Sequence, residues 1–189
     1  MIRPFQIFNQ DTAPSASRDM LQNTKDDFGM IPNLEGVMSA APALLSSYVY
    51  SWDAFKASTL TAIEQQVVYM TVNYENNCEY CMPWHTKLSL LEYMPDKEIE
   101  RLRMGEKLQD VKLNALHQFT KTMVRTRGSV SPADLQVFLE AGYTEKNALD
   151  VVLGVAIKVM SNYTNALAQT PLDNEVRDLA WKKPCLRSS

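Results

Sequence analysis

The sequence predicts an all-α protein built as a helical bundle. Apolar residues recur at steps of three and four in most segments, and helix-starting and helix-stopping residues stand at the segment boundaries. No segment shows the apolar–polar alternation that is typical of a half-buried strand. At 189 residues, the chain is predicted to form a single domain, residues 1–189, with enough material for a hydrophobic core.

The first part of the chain is predicted to contain three helices before its most informative motif. A short helix over residues 18–28 is followed by a connector over residues 30–33, and Pro42 begins the next helix. The third helix starts at Thr61, where Glu64 completes a capping box. Its apolar face consists of Leu60, Ile63, Val67, Met70 and Tyr74. Two consecutive asparagines end this helix, because Asn favours turns.

The second half of the chain continues as helices. A short helix begins at Pro95, and a longer one covers residues 110–127. Ser131 is an N-cap followed by a proline, and Thr144 caps a long helix that ends at about residue 168. A last short helix is predicted over residues 173–181. Because the long helix is apolar around much of its circumference, we expect it either at the centre of the core or covered by a second subunit.

Two thiols and an imidazole form the motif that carries chemistry. Cys78 and Cys81 stand three residues apart, and His85 follows four residues later. In a helix these three positions share one face. Pro83 fits the first turn of a new helix, so at least one thiol is expected near a helix N-terminus, where the partial positive charge lowers a cysteine pKa. Such a site can form a thiolate nucleophile, a resolving thiol and a base.

Other interpretations of the motif are structural or metal-binding. A closed zinc site needs four ligands, and the chain offers only three cysteines and two histidines, with Cys185 near a polar tail and His117 in a separate helix. A c-type haem site is excluded because Met82, not histidine, follows Cys81 directly. A pair of buried structural cysteines remains open. The sequence therefore predicts no metal and no cofactor, and favours a dithiol redox site.

The composition limits the classes of binding partner and the cellular compartment that we expect for this protein. The net charge is −3 with both signs interspersed, which argues against a nucleic-acid partner. No signal-peptide pattern is present at the N-terminus. The longest apolar stretch, residues 149–160, is interrupted by Asp150 and Lys158 and is shorter than the ~20 residues that span a bilayer. Three cysteines without a secretion signal favour a reducing cytoplasm and no membrane partner.

The stretch from Leu60 to Leu91 resembles the AhpD-like branch of the carboxymuconolactone decarboxylase superfamily, which comprises alkylhydroperoxidases and peroxidase-related proteins. The resemblance is carried by residues 60–64, by residues 77–81 and by His85. Weaker likenesses at residues 28–33, 41–44 and 161–165 extend it to most of the chain. It implies an AhpD-like helical bundle in which Cys81 attacks a peroxide, Cys78 closes the disulfide and His85 acts as the base.

The proton relay of that family is altered in this chain. The resemblance implies a glutamate twelve residues before the first cysteine, where this chain has Gln66, and a histidine just before the second, where it has Tyr80. Glu75 is a candidate substitute, whereas Glu64 is assigned to the cap of its helix. Gln66, Glu75 and Tyr80 are therefore the candidate relay positions.

The function implied by the resemblance is a dithiol-dependent peroxidase, or thiol–disulfide oxidoreductase, of antioxidant defence. Its substrate is a hydroperoxide, and an external dithiol reduces its disulfide. Two alternatives remain, namely a decarboxylase-type lyase that uses His85 as its acid–base group, and a non-catalytic redox sensor on the same scaffold. The apolar helix from Thr144 and the family resemblance also predict a homo-oligomer, either a trimer or a hexamer.

Overall fold

The computed structural model describes residues 5–184, which contain α-helices and one short 3-10 helix but no strand. This confirms the predicted all-α class. The helices are α1 (Ser15–Phe28), α2 (Asn33–Met38), α3 (Pro42–Lys56), α4 (Ala62–Glu75), α5 (Cys81–Leu91), α6 (Asp96–Met104), α7 (Val111–Arg125), α8 (Pro132–Glu140) and α9 (Glu145–Ala168), followed by the 3-10 helix Asn174–Leu179.

Side-chain caps start the helices where the sequence predicts them. Thr61 and Glu64 form the reciprocal capping box of α4, and Ser131 caps α8 through its hydroxyl. Thr144 forms a second capping box at α9, with Asn147 in place of an acidic residue. Each cap satisfies backbone N–H groups that a helix leaves unpaired at its N-terminus.

Helix α4 lies at the centre of the bundle. Every residue from Glu64 to Tyr74 is buried, and α4 packs against α3, α5, α6, α7 and α9. A helix that is buried on all sides has no solvated polar face. This explains why its polar run is short and why its middle is rich in β-branched residues. Because α5 and α9 both rest on α4, side chains from these three helices converge.

A close approach of α9 to its neighbours depends on a glycine. A Cβ atom at Gly154 would lie 2.8 Å from side-chain carbons of Phe55 on α3 and Val68 on α4. Glycine at this position therefore lets the backbone of α9 contact both helices. By length and composition α9 is long and apolar enough to cross a membrane, but its inner face packs in this bundle and includes the buried Lys158.

One helix is not predicted from the sequence, and two predicted features differ from the structure. Residues 33–38 form α2, a single turn and a half that is too short to produce an apolar period. Cys78 lies before α5 and not within it, because Asn77 adopts a left-handed conformation (φ 53°) and turns the chain. The last element is a 3-10 helix, interrupted at Val176 by a non-helical backbone (φ −133°, ψ 15°).

Candidate active site

The turn between α4 and α5 places the two thiols side by side. The backbone N–H of Cys78 donates to the carbonyl of Asn73 (2.9 Å), which holds the turn against the end of α4. The N–H of Cys81, the first residue of α5, donates to Sγ of Cys78 (3.3 Å). Neither cysteine is part of a disulfide, and both are buried, with 5% and 2% of their surfaces exposed. The pair is thus close enough for exchange without being bridged.

One face of α9 supplies polar groups to this thiol pair. Lys158, Ser161, Asn162 and Asn165 are all buried and follow each other at positions i, i+3, i+4 and i+7. The Asn165 amide Nδ2 lies 3.2 Å from Sγ of Cys81 and 4.0 Å from Sγ of Cys78, and it donates to the sulfur. Sequence reasoning assigned no role to any of these side chains in the site.

His85 is held on both ring nitrogens. Its Nδ1 lies 2.8 Å from Oε1 of Gln66, and its Nε2 lies 2.9 Å from Nζ of Lys158. An ammonium group can only donate, so Nε2 accepts from Lys158 and Nδ1 carries the proton that is donated to Gln66. Burial, together with the charge of Lys158, holds the pKa of His85 well below its ordinary range, which agrees with a neutral ring.

An aromatic wall encloses the imidazole. The rings of Trp52 and Tyr69 stack on each other with centroids 5.2 Å apart, and they lie 5.9 and 4.7 Å from the ring of His85. The ammonium of Lys158 lies 5.4 Å from the centroid of Tyr69, within the range of a cation–π contact. The buried, largely apolar surroundings strengthen the contact between the Lys158 ammonium and the neutral ring of His85.

The surroundings separate the acidities of the two thiols. Burial alone would raise the pKa of Cys81, but the hydrogen bond from Cys78 and the positive charge of Lys158 outweigh it. The pKa of Cys81 is lowered to about 6. The pKa of Cys78 is raised, first by its hydrogen bond to Cys81 and then by burial. At neutral pH the pair therefore consists of a Cys81 thiolate that accepts a hydrogen bond from the Cys78 thiol.

The three candidate relay residues lie in three different environments. Gln66 is part of the site through its contact with His85. The Glu75 carboxylate forms a salt bridge with Arg125 of α7 (2.7 Å). The Tyr80 hydroxyl donates to the carboxylate of Asp173. Of these three side chains, only that of Gln66 forms a hydrogen bond with Cys78, Cys81 or His85 among the described residues.

Asp173 anchors Tyr80, which directly precedes Cys81. Its buried carboxylate accepts hydrogen bonds from the Tyr80 hydroxyl, from Nε1 of Trp84 (2.8 Å) and from the backbone N–H of Asn33 (3.0 Å). The Tyr80 hydroxyl in turn accepts from the N–H of Leu34 (3.1 Å). The segment that follows α9 thus connects α2, α5 and the turn between α4 and α5 that contains Cys78, which we call the thiol turn.

The remaining histidine takes no part in this geometry. His117 is buried on α7, its Nδ1 lies 2.7 Å from the Thr71 hydroxyl, and burial lowers its pKa to about 4. It is a core histidine next to α4. Cys185 lies outside the described residues.

Comparisons with known proteins show the fold. No family model and no curated protein matches the chain. Among solved structures, it is similar to the alkylhydroperoxidase AhpD core of a peroxidase-related protein from Ralstonia eutropha JMP134, with 17% identity over 92% of this chain and 95% of that one and a TM-score of 0.78. A peroxidase-related protein from Silicibacter sp. TM1040 has 18% identity over 93% and 97% of the two chains, with a TM-score of 0.76.

A third similar structure is the debrominase Bmp8 in complex with 2,3,4-tribromopyrrole, with 13% identity over 94% of this chain and 96% of that one and a TM-score of 0.77. At these identities the comparisons establish the fold and not the activity. The AhpD-like helical bundle that the motif residues predicted is thereby confirmed.

Proposed function

We propose that this chain is a dithiol peroxidase that reduces hydroperoxides through Cys81 and Cys78. The observation that carries the proposal is the buried thiol pair, in which a lysine and an asparagine of α9 stabilise one sulfur as a thiolate. A thiolate attacks the O–O bond of a peroxide far faster than a thiol does. The structural similarity to peroxidase-related proteins supports the same chemistry.

The reaction would proceed in three steps, namely attack on the peroxide, formation of the disulfide and its reduction. The Cys81 thiolate attacks the terminal oxygen of the hydroperoxide, the O–O bond breaks, and the alkoxide takes a proton to leave as an alcohol. Cys78 then attacks the Cys81 sulfenic acid, which forms the disulfide and releases water. An external dithiol reduces the disulfide, and is itself oxidised, to restore the thiolate and the thiol.

Asn165 is suited to hold the substrate in the first step. Its Nδ2 contacts Cys81, while its Oδ1 is buried and accepts no hydrogen bond from the described residues. Oδ1 is therefore available to the O–H group of a hydroperoxide. This contact would place the terminal oxygen next to the sulfur that attacks it.

Exposure of the reduced protein to one equivalent of hydrogen peroxide is expected to form a Cys78–Cys81 disulfide. Intact mass should fall by two hydrogens and recover with dithiothreitol, and peptide mapping should assign the bridge. In parallel, the protein should consume hydrogen peroxide or cumene hydroperoxide in a dithiothreitol-dependent manner. The Cys185→Ser variant is the matched control. A stable dithiol after peroxide treatment, or direct conversion of Cys81 to a sulfinic acid, would contradict the proposal.

Reductive dehalogenation is the second candidate, favoured by the stacked Trp52 and Tyr69 beside His85. Such a wall suits a flat aromatic substrate, and a debrominase shares the fold. The pair would supply two electrons, so that an aryl bromide and two thiols give an arene, bromide, a proton and a disulfide. Release of bromide from 2,3,4-tribromopyrrole without peroxide turnover would favour this function. If both activities are absent but the disulfide still forms reversibly, the redox sensor is favoured. A decarboxylase-type lyase would leave the two thiols unchanged during turnover.

We further propose that the protein is a homo-oligomer, a trimer or a hexamer, in which α9 contacts a second copy of the chain. The outer face of α9 is an exposed apolar stripe of Leu149, Val152, Val159, Tyr163 and Leu167. Leu149 and Leu167 are more than two-thirds exposed, at 71% and 72%. Covering each such side chain contributes roughly 1.5–3 kcal/mol. Because the inner face of α9 contacts the thiols, this arrangement brings each active site near a subunit boundary.

Sedimentation at micromolar concentration is expected to show a species of several times 21.4 kDa, the mass of one chain. The double variant Tyr163→Glu and Leu167→Glu should sediment as a monomer, because it places two carboxylates in the apolar stripe. Tyr93→Glu changes an exposed aromatic residue outside α9 and serves as the control. A wild-type protein that sediments only as a monomer would refute the proposal.

A further inference from the structure

Lys158 is the only buried lysine in the part of the chain that the structure describes, and it lacks an obvious counter-charge. It lies in the middle of α9 and is 1% exposed. Among the described residues, no carboxylate lies within salt-bridge distance of its Nζ; the salt bridges there join other pairs. Burying an ammonium without a negative partner is costly. The fold must therefore either gain something from this charge or pair it with a group that is not a carboxylate.

The geometry directs the charge of Lys158 to the thiols. Its Nζ contacts Nε2 of His85 (2.9 Å), and Gln66 fixes that ring from the other side. Asn165, two turns further along the same face of α9, contacts Cys81. Cys81 can carry the negative charge that balances the lysine, because the charge of Lys158 lowers the pKa of the Cys81 thiol. His85 cannot accept a proton from Cys81 directly while both of its ring nitrogens are engaged with Gln66 and Lys158.

We propose that Lys158 is the proton donor of this site, taking the place of a carboxylate–histidine relay, and that His85 positions it. This inference rests on the proposed peroxidase function. When the Cys81 sulfur attacks the peroxide, the O–O bond breaks and the leaving alkoxide takes a proton from Nζ, which becomes a neutral amine. Cys78 then displaces hydroxide from the sulfenic acid, and the thiol proton completes the water molecule. Reduction by an external dithiol restores one thiol and one thiolate and releases the proton that recharges Lys158.

Gln66 fits this assignment better than a glutamate would. A carboxylate at position 66 would favour a protonated His85, and an imidazolium would repel the lysine ammonium. The neutral amide instead fixes the tautomer in which Nε2 accepts from Lys158. Gln66, which stands where the family resemblance implies a glutamate, is therefore compatible with a different proton donor.

The test compares Lys158→Met with the wild type in a Cys185→Ser background. The ultraviolet absorbance of the thiolate, followed against pH, needs no peroxide. The wild-type midpoint is expected near 6, and the variant midpoint should rise by at least about one unit, the smallest effect expected from losing a close opposite charge. Lys146→Met, at the exposed start of α9, is the control for loss of a positive charge. An unchanged midpoint in Lys158→Met would overturn the inference.

Proton donation is tested separately, at a pH above both midpoints, where Cys81 is a thiolate in every variant. A single-turnover reaction with cumene hydroperoxide should remain about 10²-fold slower in Lys158→Met, in line with the loss of general acid catalysis. In Lys158→Ala, added ethylamine should restore part of the rate. Equal rates for Lys158→Met and wild type under these conditions would refute the donor role.

The two measurements separate this inference from the proposed function. A wild type that shows the low thiolate midpoint but consumes no hydroperoxide would overturn the peroxidase function, and the donor role with it. The comparison of midpoints would still decide whether Lys158 stabilises the Cys81 thiolate. Lys158→Gln is the second variant if Lys158→Met does not fold, as judged by circular dichroism, since it retains a polar group next to His85.

Discussion

Replacing Cys81 by serine is expected to lower dithiol-dependent peroxide consumption by ~10³-fold or more, because a serine hydroxyl stays protonated where the proposed nucleophile is the Cys81 thiolate. Replacing Cys78 should have a different effect. In Cys78→Ser, Cys81 should still react once and stop as a sulfenic acid, which a dimedone-type reagent traps, because no resolving thiol is available. The two variants therefore distinguish attack from resolution.

Cys185→Ser controls for the third thiol and is expected to turn over like the wild type. Peroxide consumption should be followed under steady-state conditions and in a single turnover, with intact mass after each. If Cys78→Ser is the dead variant and Cys81→Ser still forms a sulfenic acid, the two roles are reversed. That result would also mean that the α9 groups do not select the nucleophile.

Replacing Asp173 by alanine is expected to reduce the free energy of unfolding by about 3 kcal/mol or more. The variant leaves three donors without their acceptor, namely the buried Tyr80 hydroxyl, the buried Trp84 indole N–H and the partly buried backbone N–H of Asn33. Each such donor costs about 1–3 kcal/mol, partly offset by rearrangement and water. Urea unfolding followed by circular dichroism measures the change. Because Tyr80 lies between the cysteines, peroxide turnover should fall as well.

Asp178→Ala is the matched control, since Asp178 is an exposed carboxylate in the same segment. Its effect on unfolding is expected to stay within about 0.5 kcal/mol. Similar unfolding free energies for Asp173→Ala and Asp178→Ala would show that water replaces the buried carboxylate without loss. The anchoring role of Asp173 would then be incorrect.

Much of the fold could be predicted from local signals. The Thr61–Glu64 and Thr144 caps mark where α4 and α9 begin, and the apolar steps from Val67 to Tyr74 describe a helix that is buried. These signals depend only on neighbours within one or two turns, so one sequence contains them completely. The six-residue α2 shows the limit, because a helix of that length has no period to detect.

The site could be predicted only in part. Cys78, Cys81 and His85 are close in sequence, and their spacing alone indicated redox chemistry. Lys158 and Asn165 reach the thiols because α9 packs on α4, and no local pattern contains that contact. A signal was nevertheless present, since Lys158, Ser161, Asn162 and Asn165 form a polar face on an otherwise apolar helix. A polar stripe on a core helix has to meet other polar groups, and the thiol turn is where it does.

The position of α9 in the chain also has a consequence for biosynthesis. The thiol turn is synthesised first, and α6, α7 and α8 follow before the helix that carries Lys158 and Asn165. Until α9 docks, Cys81 lacks the positive charge of Lys158 and the hydrogen bond from Asn165, so its pKa lies closer to the ordinary cysteine value of about 8.5 than it does in the completed fold. The nascent chain is therefore expected to react more slowly with oxidants than the folded protein does. The low pKa of Cys81 is thus a property of the completed fold, and it is lost again when the protein unfolds.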